Sequence, residues 1–94
     1  MALACAGPKA AWVGTYQAGI GRLDAGGWHP GPVLPSQNVQ ALATRGDTLY
    51  VGTDSGLFTV VGTVVTRLSD DDVWAIYPEE DDLWVGTREG LRAL

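Results

Sequence analysis

Ninety-four residues fit one domain at most, since domains run to roughly 100 to 200 residues, and a multi-domain chain is excluded. Apolar residues at 46% against 18% charged, with four tryptophans and three tyrosines, exclude disordered, collagen-like and coiled-coil chains and call for a packed fold. Six basic against eleven acidic side chains give a net charge of −5, which repels phosphate backbones and anionic lipid and argues against a nucleic-acid partner.

Residues 1–6 are small and weakly β-forming, so a first strand there is the least secure element of the chain. They are too short for the apolar region of a signal peptide, and no run approaches the roughly 18 apolar residues that cross a bilayer. No membrane span is expected, and the compartment stays unread. Leu3-Ala4-Cys5 has the residue types of a lipoprotein cleavage site but lacks the apolar stretch upstream of one. The single cysteine permits no internal disulfide.

Trp12-Val13-Gly14-Thr15 begins a repeat. It returns as Tyr50-Val51-Gly52-Thr53 and as Trp84-Val85-Gly86-Thr87, at offsets of 38 and 34 residues. Val39-Gln40-Ala41-Leu42 likewise returns as Val73-Trp74-Ala75-Ile76, each run starting eleven residues before its Tyr or Trp. Counting back eleven from Trp12 sets Met1 in the same place. Gly19-Ile20, Gly56-Leu57 and Gly90-Leu91 follow each Gly-Thr. The repeat units are therefore residues 1–38, 39–72 and a partial 73–94, within a single 1–94 segment.

In the first unit, Gly26-Gly27 makes the last hairpin before Trp28, and Pro30 and Pro32 belong at a sheet edge because proline cannot donate to a ladder. The middle unit is complete. Residues 39–43, 49–52, 57–60 and 64–68 read as strands, separated by turns at Arg45-Gly46-Asp47, Asp54-Ser55-Gly56 and Gly62-Thr63. In the third unit the outer strand is missing. Consecutive apolar residues such as Leu49-Tyr50-Val51 predict sheets covered on both faces. Meanders of about 34 residues that are apolar on both faces pack against copies of themselves, and radial stacking gives a β-propeller of four-stranded blades. The fold class is therefore all-β, a propeller segment of about three antiparallel blades. A small β-sandwich with an accidental duplication is the competing fold.

Leu34-Pro35-Ser36-Gln37-Asn38-Val39-Gln40-Ala41-Leu42, then Leu49-Tyr50-Val51-Gly52-Thr53 and Gly56-Leu57, resembles the two-component-regulator propeller repeat. The third copy matches best in Leu83-Trp84-Val85-Gly86-Thr87 and Gly90-Leu91. The resemblance implies a sensor region of the kind found outside the cytoplasm in hybrid histidine kinases, often tuned to carbohydrates. Two features depart from that pattern: such propellers carry more units, and nothing here resembles a kinase, a receiver or a membrane span. Propellers close with about four to eight blades, so the ring is expected to be completed by a second copy, giving six blades, or by further blades of a longer chain.

Trp12, Tyr50 and Trp84 occupy equivalent strand positions and are expected to be core between blades. Cys5 is expected to be a small buried side chain. His29 is the lone histidine, beside Trp28 on an outer strand, without partners for a zinc site or a nucleophilic triad. That also places it wrongly for a propeller lyase, which relies on a channel histidine. Asp70-Asp71-Asp72 and Glu79-Glu80-Asp81-Asp82 lack the spacing of a calcium loop and read as solvated turns at opposite ends of the sheet. No metal, no cofactor and no catalysis are expected. The binding candidates are Tyr16, Gln17, Gln37, Asn38, Asp54, Asp72, Arg88 and Glu89, on the face formed by the turns before the first and after the second strand of each unit, with Trp74 lining the channel. Polar groups beside an aromatic suit a hydroxylated ligand such as a carbohydrate; the competing reading is ordinary turn polarity. The expected function is ligand or protein binding without catalysis. The alternatives are a pure interaction module without a small-molecule site and a fragment of a propeller lyase.

Overall fold

Turn chemistry divides the chain into meanders. The computed structural model describes residues 2–7, 10–14, 19–31, 34, 38–62, 64–79 and 81–93, with backbone pairing alone for 2–7. The first sheet holds β1 (Ala2–Gly7), β2 (Ala10–Gly14), β3 (Ile20–Asp24) and β4 (Gly27–Pro30). The second holds β5 (Val39–Arg45), β6 (Thr48–Thr53), β7 (Gly56–Val61) and β8 (Val64–Ser69). The third holds β9 (Val73–Pro78), β10 (Leu83–Thr87) and β11 (Gly90–Ala93). Every pairing is antiparallel between neighbours in sequence. The fold is all-β, a segment of propeller blades with the first strands β1, β5 and β9 side by side at the inner edge. Pro30 ends the outermost strand of the first blade, where no ladder needs its missing N–H. The Gly46-Asp47 hairpin of the second blade has glycine at φ 60° in its first position, the conformation that matches the twist of the flanking strands.

The Gly-Thr of the repeat has two jobs. Thr53 Oγ1 donates to the Gly56 carbonyl at 2.9 Å and accepts the Ser55 N–H at 3.1 Å, closing the turn from within. Thr87 repeats this with Gly90 and Glu89 at 2.9 and 3.2 Å. The glycine before it lets the next blade approach: a Cβ on Gly52 would stand 2.6 Å from Val73 Cγ1, and one on Gly14 would run into Val39. Each leading valine thus rests on the glycine of the blade before it.

Both faces of the second blade are covered. One buries Leu49, Val51, Phe58 and Val60 against Ile20 and Leu34, with Trp12 packed alongside. The other buries Ala41, Tyr50 and Leu57 against Val73, Ile76, Leu83 and Val85 of the third blade. Burial of such side chains is worth about 1.5 to 3 kcal/mol each, the main stabilising contribution available to this chain. Arg45 locks the second contact. It donates to the carbonyls of Glu79 (2.6 Å) and Asp82 (3.2 Å) in the β9–β10 turn and to the Tyr50 hydroxyl (2.9 Å), with its guanidinium over the Tyr50 ring.

Two expectations change. Trp84 is not core: Tyr50 is buried and Trp12 packs on the first cluster, but Trp84 is half-buried on the face of the third blade that no other blade covers. The equivalence assigned to the first strand also shifts. Ala2 stands opposite Gly14 as Ala41 stands opposite Gly52 and Ala75 opposite Gly86, so the first strand is displaced by one residue. The cause is a β-bulge, which falls at the start of β5 and β9 but near the end of β1, between Cys5 and Gly7. Residues 2–6, weakly β-forming as they are, nevertheless pair as a strand; the Cys5 side chain lies outside the described residues.

Candidate functional site at the bulged ends of the inner strands

A β-bulge inserts one residue that opposes nothing across the ladder and re-aims its side chain. In β5 that residue is Gln40 and in β9 it is Trp74. Gln40 reaches across to the third blade, its Nε2 donating to Asp72 Oδ1 at 2.7 Å and to the Val73 carbonyl at 2.9 Å. Trp74, at the equivalent place, is 59% exposed. Asp72 is also held by its backbone, its carbonyl accepting the Arg88 N–H at 3.0 Å. Asn38 Nδ2 donates to Asp54 Oδ2 at 2.9 Å, and Ser55 Oγ donates to Asp54 Oδ1 at 3.1 Å.

One end of the sheets therefore holds Asn38 with Asp54 in the second blade and Asp72 with the Arg88 backbone in the third, where the exposed Trp74 follows Asp72 by two residues. Arg88 and Glu89 form the exposed β10–β11 turn, Glu89 donating its N–H to Thr87. Tyr16, Gln17 and Gln37 lie outside the described residues. Gln40 is the residue that sequence reasoning missed. Its signal was there: it holds in the second repeat the place of Trp74 in the third, and only Trp74 attracts notice by its type. Chemically the rim offers carboxylates, amides and an exposed indole, a set able to hydrogen-bond hydroxyls and stack on a ring face.

The remaining candidates have structural partners. Asp70 pairs with Arg67 at 2.6 Å, and Asp71 with Arg92 and the Ser69 hydroxyl. Asp70, Asp71 and Asp72 precede β9, whereas Glu79 and Asp82 lie in the turn after it. Among the described residues no group of three or more His, Cys, Asp or Glu side chains is placed to hold a metal ion. His29 is exposed on the outer strand β4, and its Nε2 lies 3.1 Å from Asp24 Oδ1. The Gly26 N–H donated to Asp24, and then His29, hold that carboxyl below its ordinary value.

With the geometry in place, comparison with known proteins adds one match: residues 67–89 fit the family model described as the two component regulator propeller. Over that stretch the chain is similar to the two-component-regulator propeller repeat. The matched stretch runs from β8 through β9 and β10 to the Arg88-Glu89 turn, and so covers the bulge at Trp74, the Asp72 clasp and the Leu83-Trp84-Val85-Gly86-Thr87 run of that repeat. No curated protein and no solved structure matches the chain.

Proposed function

We propose that this chain is a non-catalytic binding module of a sensor-like propeller, in which the polar rim at the bulged strand ends takes a hydroxylated ligand such as a carbohydrate. The supporting observation is that the Asn38–Asp54 pair and the Gln40–Asp72 pair lie at one end of consecutive blades, with the exposed Trp74 two residues after Asp72. Amide and carboxylate groups select hydroxyls by direction, and the indole supplies a flat apolar surface. Binding on a glycan array that is lost on combining Asp54→Ala with Arg88→Ala is the expected result.

A second reading, an interaction module without a small-molecule site, is favoured by a different observation. Leu23, Trp28, Tyr77 and Leu91 are all about half exposed or more, on the outward faces of the first and third blades. An array without signal from a folded chain would favour it.

A further inference from the structure

The internal contacts of the stack follow one pattern. A forward face, with Tyr50 and Leu57 in the second blade and Trp12 and Ile20 in the first, receives a backward face, with Leu83 and Val85 in the third and Leu49 and Val51 in the second. Strand register identifies the same positions on the two faces left open. On the third blade, Trp84 stands at the place of Tyr50, Leu91 at that of Leu57 and Tyr77 at that of Ala43. On the first blade, Ala11 stands at the place of Leu49 and Leu83, Val13 at that of Val51, and Leu23 at that of Val60.

At the positions of Tyr77 and Ala11 the substitutions run in opposite senses. The open forward face is bulkier than the internal one, with a phenol ring where the second blade has a methyl group. The open backward face has a methyl at Ala11 where the other blades have leucine, while Leu23 in place of Val60 and Trp28 in place of Val65 add bulk further out on it. Beside Ala11 the described residues Ala10, Ala11, Leu23, Asp24 and Ala25 border a shallow, open hollow. Inside the stack, Ala43 packs against the cluster that contains Leu83, so Tyr77 in the forward position would meet the site of Ala11.

We propose that two copies of this chain pair head to tail, Tyr77 and Trp84 of each filling the alanine-lined hollow of the other. This rests on the reading of the chain as blades that pack by their faces. Each copy offers one forward and one backward face, so two such contacts about a two-fold axis satisfy both and close six blades. Large side chains opposite small ones are how packed layers interdigitate, and the exchange of volumes matches this chain's third blade to its own first.

Sedimentation velocity on the chain tests the pairing. The wild type should run as one species of twice the 9.9 kDa chain mass. Leu91→Asp and Leu23→Asp, at exposed positions on opposite faces, should each give single copies, with circular dichroism reporting the fold. An equimolar mixture of the two should restore the pair, because one intact forward face and one intact backward face remain. Ala11→Leu installs the residue of the other blades, and by closing the hollow it should weaken pairing about tenfold or more. A folded wild type that stays single, an open-ended ladder of oligomers, or a Leu23→Asp chain that still pairs would overturn the proposal. None of these positions belongs to the polar rim, so a single-copy chain that binds glycans would remove the pairing and leave the binding function standing.

Discussion

Glycine shows most directly what the repeat encodes at the level of single residues. Gly52 and Gly86 are the same letter of the motif, yet a Cβ on Gly52 would press on Val73, at 2.6 Å from Cγ1, 3.0 Å from Cβ and 3.2 Å from the backbone oxygen. On Gly86 it would meet only the Ala75 side chain and backbone, at 3.4 Å and beyond, which is ordinary contact. Gly52→Ala should therefore destabilise the chain by about 1 to 3 kcal/mol, since the valine and its backbone must move together. Gly86→Ala in dilute chain should stay within about 0.5 kcal/mol. Urea titration of both variants is the measurement, and equal losses would contradict the difference in their neighbours. The same contrast explains why Trp84 was misjudged from sequence while Tyr50 was read correctly. Periodicity reports which face a side chain joins, but its burial depends on the blade opposite, and Trp84 has none. Gly86 and Trp84 share that face, so one absence accounts for both.

At the scale of strands and turns, the Gly, Asp and Ser punctuation carried most of the information. The strands expected in the middle repeat all form, each extended by one or two residues as its ladder continues into the turn. The bulges were not legible, because a bulge adds a residue without changing residue type, and it displaced the equivalence assigned to the first strand. Of the rim, Asn38, Asp54 and Asp72 were legible as polar turn residues, whereas Gln40 was hidden inside a strand pattern and re-aimed by the bulge. Arg45 was hidden too. It reads as a turn residue, but two of its three partners lie 34 and 37 positions further along the chain. Because Arg45 joins two carbonyls and a hydroxyl by a planar fork, Arg45→Lys should not substitute for it. Both Arg45→Lys and Arg45→Ala should loosen the β9–β10 turn, with a cost of about 0.5 to 1.5 kcal/mol, scaled to a solvent-facing side chain. The measurement is hydrogen exchange at the Glu79 amide, which donates to the Asp82 carbonyl at 2.8 Å. Unchanged protection there would show that the turn is held by its own backbone.

For the molecule as a whole, the decisive quantity is the balance between two covered blade contacts and two open faces. Small chains hold little stability in reserve, and this one leaves large side chains of the first and third blades in water. Covering those faces adds apolar burial that only the folded state can make, so pairing should raise stability by mass action. The thermal midpoint should therefore climb with protein concentration, while hydrophobic-dye fluorescence per copy falls. Charge opposes the association, since each copy carries −5, and added salt screens that repulsion. At fixed protein concentration, moderate sodium chloride should shift the midpoint upward by strengthening the pair. The Leu91→Asp chain, which cannot bury its forward face, should show no dependence on protein concentration. A wild-type midpoint equally insensitive to concentration, together with steady dye fluorescence, would mean that the faces stay open and that the third blade is stable with one neighbour.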